Sequence, residues 1–312
     1  MSRRLIVVRL WLTMKLQIEG QSIPYPMLVL RGRLRLCGLS QTDAEKIIER
    51  TVSSFGGADP TDNQMTEALR NRLKLKRSVL DAFDLIVERE SLRSASPPLP
   101  PTVLVLEGAS ATGKSMLGIA MTYSLVATRA IGTDTVRQVL RTVHSQKDHP
   151  ELFCHTYQAH KYKQAGPEEL DPIVRGYLAQ CELIQPVVRR LVERVLTEGA
   201  DAVVEGVHVI PGAMRDLGLG VIEVLVDPPA DTHRAMFMTK YAAAKLKTVT
   251  DDPRVREAEF AATRMIQDYL VEQARGTGIH IVELSDYDRA EKDICNIVIQ
   301  SVRDMIRTRE NK

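Results

Sequence analysis

The sequence predicts an α/β fold, a parallel sheet flanked by helices, preceded by a small and mostly helical domain. Three observations predict it. From residue 102 onward short apolar runs alternate with longer helical stretches, the pattern of parallel strands and their crossover helices. Residues 15–90 read mainly as helices. Between the two, Ser94-Ala95-Ser96-Pro97-Pro98-Leu99-Pro100-Pro101 is stiffened by proline into an extended spacer. The expected domains are therefore 1–95, a linker at 96–101, and 102–312.

In the first domain Lys15-Leu16-Gln17-Ile18-Glu19 alternates like a strand and Gly20-Gln21-Ser22 turns. Met27 to Cys37 is apolar at helical spacing, with Arg31, Arg33 and Arg35 interleaved, and Gly38-Leu39-Ser40 ends it. Ser40 is a candidate N-cap for a helix over 41–54, with Asp43 completing an approximate capping box. Further helices are expected over 62–75 and 78–90. In the second domain strands are expected at 102–106, 130–132, 202–204, 221–226 and 279–284. Helices are expected at 115–126, 133–142, 230–246, 253–275 and 289–308, and a long helical stretch with breaks over 150–164 and 169–198.

The first strand runs into Gly108-Ala109-Ser110-Ala111-Thr112-Gly113-Lys114-Ser115, which fits the phosphate-cradling pattern G-x-x-x-x-G-K-[ST] between a strand and a helix. Glycines let the backbone close around phosphate, and amide N–H groups and a helix N-terminus face the anion. Lys114 is expected on the β- and γ-phosphates and Ser115 on Mg²⁺. ATP and Mg²⁺ are thus the expected cofactors.

Ligands of open α/β sheets gather at the carboxyl ends of the strands. Asp134 follows the second strand, where a carboxylate can take a hydroxyl proton or hold Mg²⁺ through water; it can equally cap the helix that starts there. Arg137, one turn on and on the same face, either holds an anionic acceptor or faces solvent. Glu205 ends an apolar strand, the place of a second Mg²⁺ carboxylate, or is a turn residue before Gly206. His208, read from periodicity alone, is a structural histidine. Lys240, Lys245, Lys247, Arg254 and Arg256 form a cationic stretch, either a lid over phosphates or a solvated helix face. Ser285-Asp286-Tyr287 is the candidate adenine loop.

The 312 residues carry a net charge of +2, too small to argue for nucleic acid, and aromatics are few. The four cysteines, Cys37, Cys154, Cys181 and Cys295, are far apart, as expected for reduced thiols in the cytoplasm. No run reaches the roughly 18 apolar residues of a membrane span. Ser2-Arg3-Arg4-Leu5-Ile6 looks superficially like a twin-arginine signal, but Arg9 and Lys15 interrupt the apolar run and no cleavage site follows. Met14 is an alternative start.

Two resemblances add to this reading. Residues 15–90 resemble the ATP-cone through Pro24-Tyr25-Pro26, Gly32, Leu34 and Gly38-Leu39-Ser40. That likeness implies a regulatory nucleotide site near Lys15 and Arg31–Arg35. The alternative is a module that only packs or dimerises, so a homo-oligomer stays open. The strings Gly108 to Ser115, Gly132-Thr133-Asp134-Thr135-Val136-Arg137, His155-Thr156-Tyr157-Gln158-Ala159, Glu205-Gly206-Val207-His208-Val209-Ile210-Pro211-Gly212 and Gln267-Asp268-Tyr269-Leu270-Val271-Glu272-Gln273-Ala274 together resemble the 2-phosphoglycerate kinases.

The kinase resemblance implies transfer of the γ-phosphoryl of ATP to the 3-hydroxyl of 2-phosphoglycerate, giving 2,3-bisphosphoglycerate and ADP. It makes Arg137, His208 and Arg234 the candidates for holding the small phosphorylated acceptor. One departure is Ala235-Met236-Phe237-Met238-Thr239-Lys240, where family members carry more arginines; lysine does not reproduce a bidentate arginine. Two rival readings stand beside this one. The first is a same-fold kinase for another phosphorylated acceptor, such as a sugar or inositol phosphate. The second is a nucleotide-sensing regulator with little turnover. The absence of an N-K-x-D guanine motif argues against a GTPase.

Overall fold

The computed structural model describes residues 15–244, 250 and 252–311, without the side chains of 240–244. Met14, the arginine pair near the start, Lys245, Lys247 and the Lys240 side chain therefore lie outside the described residues. The chain divides into two compact units. One holds the residues up to Leu99, with Tyr123–Val126 and the residues from Cys295 on. The other holds Pro100–Thr122 and Ala127–Ile294.

The first unit opens with a hairpin, β1 (Lys15–Ile18) and β2 (Gln21–Pro24), paired antiparallel with Ile18 opposite Gln21. The second strand was expected as a turn. The turn is instead only Glu19-Gly20, whose φ of 49° and 78° is the left-handed pair that suits the twist of a two-residue hairpin. Four helices follow: α1 (Met27–Leu36), α2 (Gln41–Ser54), α3 (Asp62–Leu73) and α4 (Arg77–Arg93). Ser40 caps α2, its hydroxyl accepting from the Asp43 N–H at 3.1 Å. Thr61 and Gln64 form a reciprocal capping box on α3. Leu30, Leu34, Ile48, Leu69, Leu73 and Phe83 are buried at helical spacing and form the core. Gly32 has a packing role, since a Cβ there would meet the Tyr123 carbonyl at 2.4 Å.

The second unit carries a five-stranded sheet in the order β4-β5-β3-β6-β7, with every pairing parallel. The strands are β3 (Val103–Glu107), β4 (Arg129–Gly132), β5 (Ala202–Gly206), β6 (Val221–Asp227) and β7 (His280–Glu283). Every residue of central β3 is buried, as expected for a strand covered on both faces. The remaining helices are α5 (Lys114–Ser124), α6 (Thr133–Val143), α7 (Pro172–Glu198), α8 (Ala230–Ala244), α9 (Pro253–Thr277) and α10 (Tyr287–Glu310); the end of α5 from Tyr123 and the part of α10 from Cys295 on belong to the first unit. The fold class is thus the expected one.

Side chains of α6 and α7 pack with Val103, Val105 and Val204 in one cluster; Phe237, Ile266 and Leu270 of α8 and α9 join Tyr177 and Leu225 in another. Each fully buried aliphatic side chain contributes about 1.5–3 kcal/mol. The two longest helices start alike. Asp171 and Asp252 accept from the second helical N–H, and Pro172 and Pro253 take the first position, where a missing N–H costs nothing. Both end on left-handed glycines, Gly199 and Gly278.

The first part of the expected broken helical stretch is shorter and tighter than α-helix. Residues 150–164 form two short 3-10 segments, Pro150–Phe153 and Thr156–Lys161. The reason lies in the carbonyls. Gln180 takes those of Glu151 and Cys154, Arg141 takes that of Leu152 at 2.6 Å, and Arg137 also reaches Cys154 at 3.2 Å. Those acceptors are lost to an α-helical ladder. Among the described residues no helix is long and apolar enough to cross a membrane, and all four cysteines are free thiols.

Candidate active site

The loop between β3 and α5 is shaped by left-handed backbone at Gly108 (φ 147°), Ala111 (φ 64°) and Gly113 (φ 86°). A Cβ on Gly113 would lie 2.2 Å from Leu284, so close packing also demands glycine there. Ala111 pays for the same conformation with a Cβ, the strained backbone that persists where a site requires it. Thr112 donates to the Ala109 carbonyl at 3.1 Å, and Lys114 Nζ donates to the same oxygen at 2.9 Å. These bonds fold the loop back over the start of α5, the form that aims amides and a lysine at phosphate.

Two residues brace this loop from α8 and α9. Gln267 is fully buried; its side-chain oxygen accepts from the Ala109 N–H at 2.8 Å, and its amide donates to Val226 O at 3.1 Å and Asp227 Oδ1 at 3.0 Å. His233, also fully buried, holds the Ser110 carbonyl through Nε2 at 2.9 Å. That bond requires the proton on Nε2. Burial, above all, pulls its pKa down.

Ser115 and Glu205 meet, with Ser115 Oγ donating to Glu205 Oε2 at 3.0 Å. Glu205 pairs in register with Leu106 of β3, which carries its carboxylate beside the loop. A hydroxyl and a carboxylate at the end of the phosphate loop are oxygen donors of the kind Mg²⁺ takes.

Asp134 lies in the first turn of α6, and Arg137 follows three residues on. Gly132, not Asp134, stands at the N-cap, and the Asp134 carboxylate accepts from Arg137 at 3.1 Å. Arg137 does not face solvent. It is 8% exposed, and its Nε–H has no partner among the described residues.

A cavity of about 640 Å³, within the roughly 300–1,000 Å³ of small-ligand sites, joins the phosphate loop to Asp134 and Arg137, while Glu205 is not among its described lining residues. Its lining includes Ser110, Lys114, Ser115, Asp134, Arg137 and His155. The candidate adenine residue Tyr287 lines it as well.

His208 does not line this cavity, although it is a candidate for the acceptor. It is fully buried behind α6, with Nδ1 3.0 Å from Thr133 Oγ1 and Nε2 3.1 Å from Gln180 Oε1. Gln180 spends its amide N–H groups on backbone carbonyls, so its oxygen faces His208 and the imidazole proton sits on Nε2. Thr133 then donates to Nδ1. Burial, helped by the charge of Arg137, lowers the His208 pKa to about 3. The ring is a neutral strut joining β5, α6 and α7. Arg234 is also away from the cavity; its half-exposed guanidinium pairs with Glu257. Of the cationic stretch, Arg256 is buried over the Phe237 ring at 4.0 Å and pairs with Glu259 at 2.9 Å, which removes it from a solvated face.

Beneath the loop, Glu107 is fully buried and neither of its carboxyl oxygens has a donor among the described residues. It faces Glu223, whose Oε2 accepts from the Gly212 and Met214 N–H groups at 3.0 and 3.3 Å. Burial first, and the Glu223 charge second, push the Glu107 pKa well above 4.5. Gln180, His233, Gln267 and Glu107 are the residues a reading of local spacing does not single out.

No family model matches the chain. Comparison with known proteins finds the 2-phosphoglycerate kinase of Methanopyrus kandleri 26% identical over 281 residues, 88% of this chain and 84% of that one. The enzyme of the same name from Thermococcus kodakarensis is 26% identical, covering 91% of this chain and 95% of its own. That of Methanothermobacter thermautotrophicus is 29% identical, covering 83% and 91%. Among solved structures, shikimate kinase from Acinetobacter baumannii overlays distantly, with a TM-score of 0.40 and 14% identity over 69% of this chain and 97% of that one. With its phosphate loop and parallel sheet, the chain is a P-loop phosphotransferase related along most of its length to proteins named 2-phosphoglycerate kinase.

Proposed function

We propose that the protein transfers the γ-phosphoryl group of ATP to the 3-hydroxyl of 2-phosphoglycerate, giving 2,3-bisphosphoglycerate and ADP. The observation that carries this reading is the shared cavity: the phosphate-loop pair Lys114 and Ser115 and the acid–cation pair Asp134 and Arg137 line one space. The names of the relatives supply the acceptor.

In this reading the backbone of Gly108 to Ser115 holds the ATP phosphates, and Lys114 balances charge on the β- and γ-phosphates. Ser115 and Glu205 would hold Mg²⁺, which neutralises phosphate charge when bound. Asp134 accepts the proton of the acceptor hydroxyl as the new P–O bond forms and the bond to the ADP oxygen breaks. Arg137 binds an anionic group of the acceptor. Catalysis is mainly positioning and charge neutralisation. His208 and Arg234 take no direct part. We also read residues 1–95 as an ATP-cone-like module joined by 96–101 to a kinase domain, 102–312, acting in the cytoplasm on a small molecule.

The test is ADP release from purified protein with Mg-ATP, alone, with 2-phosphoglycerate, and with 3-phosphoglycerate as control, the product being identified by mass. Turnover within the ordinary range of about 1–1000 per second, dependent on 2-phosphoglycerate, is expected. No stimulation by 2-phosphoglycerate while ATP still binds rejects that acceptor. A screen of phosphorylated sugars, inositols and acids then separates another kinase from a nucleotide sensor.

A further inference from the structure

The segment that crosses from Cys154 to Tyr157 brings a second recognition element to the cavity. His155 and Tyr157 both line it, and their rings stack face to face, 5.1 Å between centroids and 5° between planes. The stack has a firm backing. Tyr157 meets Phe237 edge-on at 6.0 Å, and Phe237 lies under the Arg256 guanidinium, 4.0 Å away. Gln158, the next residue, donates to Glu259 at 3.2 Å. On the other side, Arg137 donates to the carbonyl of Cys154 at 3.2 Å, so its guanidinium is set directly beside the residue that precedes His155. A nine-tenths buried cation with a spare N–H and an imidazole held flat against a braced ring thus share one wall.

We propose that His155 is a specificity-determining residue for the acceptor. Its ring N–H and the Arg137 guanidinium form a two-point clamp for a small molecule bearing two anionic groups on a short carbon skeleton. The stacked ring of Tyr157 sets the plane of that clamp. The inference rests on the phosphotransferase reading of the same cavity and adds to it the basis of selection. An acceptor with one anion satisfies only half of the clamp, and a hydrogen bond to a charged group, once lost, costs more than a neutral one.

The experiment is steady-state kinetics on the full chain with His155→Phe, which keeps a stackable ring and removes its N–H groups, alongside Tyr157→Phe and Tyr157→Leu. For His155→Phe the KM for 2-phosphoglycerate should rise about 10-fold or more, with the KM for ATP and the thermal midpoint near wild type. The preference for 2-phosphoglycerate over glycerate, which carries one anion, should fall by a similar factor. Tyr157→Leu should follow His155→Phe, and Tyr157→Phe, which keeps the stacked ring, should raise the acceptor KM less than Tyr157→Leu. An unchanged acceptor KM in His155→Phe, or an equal rise for ATP, overturns the proposal. If wild type does not use 2-phosphoglycerate, the acceptor reading has failed, and the same variants are measured on the acceptor found by the screen. The clamp then stands or falls on that acceptor's KM. If the screen finds no acceptor, there is nothing for His155 to select and the proposal is overturned with the kinase reading.

Discussion

Asp134 and its neighbours show how each residue's task follows from its partners. The exposed carboxylate of Asp134 is held by Arg137 at the cavity wall, so Asp134→Asn keeps the shape and removes the base. A fall in kcat of about 10²–10⁴ is expected, with the KM for ATP little changed; unchanged product formation would remove Asp134 from the mechanism. The buried groups respond to pH in opposite senses. His208 takes a proton only near pH 3 in the fold but near 6.5 when unfolded, so stability present above 6.5 is lost as the pH falls towards 3. His208→Gln should flatten that acid limb. Glu107 has a raised pKa, so its contribution is full below its ordinary value of 4.5 and is lost as the pH rises through the folded value. In Glu107→Gln the amide can donate to Glu223. Thermal melts should show it more stable than wild type at pH 8, by on the order of 1 kcal/mol, with the gain gone by pH 5.

At the scale of elements, the phosphate loop was legible in the sequence because its residues are contiguous and lie between a strand and a helix. Its braces were not. Gln267 reaches Ala109 across 158 positions, and His233 reaches Ser110 across 123, distances over which spacing carries no signal. One helical step explains Arg234: its neighbour His233 turns inward to the loop, while Arg234 turns out to Glu257. The segment 150–164 was legible as helical with breaks but not as 3-10 turns, because side chains of α6 and α7 claim its carbonyls, a tertiary effect. The same segment governs a glycine of α7. Gly→Ala inside a helix ordinarily gains up to about 1 kcal/mol. At Gly176 the added Cβ would lie 2.1 Å from the His160 backbone nitrogen, while at Gly276 of α9 nothing lies within 4 Å. Gly276→Ala should therefore raise the melting temperature slightly, and Gly176→Ala should lower stability by about 2 kcal/mol or more. Denaturant unfolding of the two variants, with the same sign of change in both, would contradict this account.

For the whole molecule, the two compact units are not consecutive stretches of chain. The unit that holds the residues up to Leu99 also takes those from Cys295 on, including buried Val298, Val302 and Met305. A fragment ending at Leu99 lacks that part of its core, so it should melt without cooperativity and be cut readily by protease; a sharp thermal transition in the fragment would show that the missing helix is dispensable. The net charge of +2 says little about binding, because the charges that matter are local. Lys114 and Arg137 line the cavity with Asp134 as the one acid among the described lining residues. A loop shaped to hold phosphate oxygens does not distinguish those of a nucleotide from those of a buffer salt. Sulfate or inorganic phosphate at high concentration should behave as a competitive inhibitor, and an assay run in phosphate buffer would measure that competition as much as turnover.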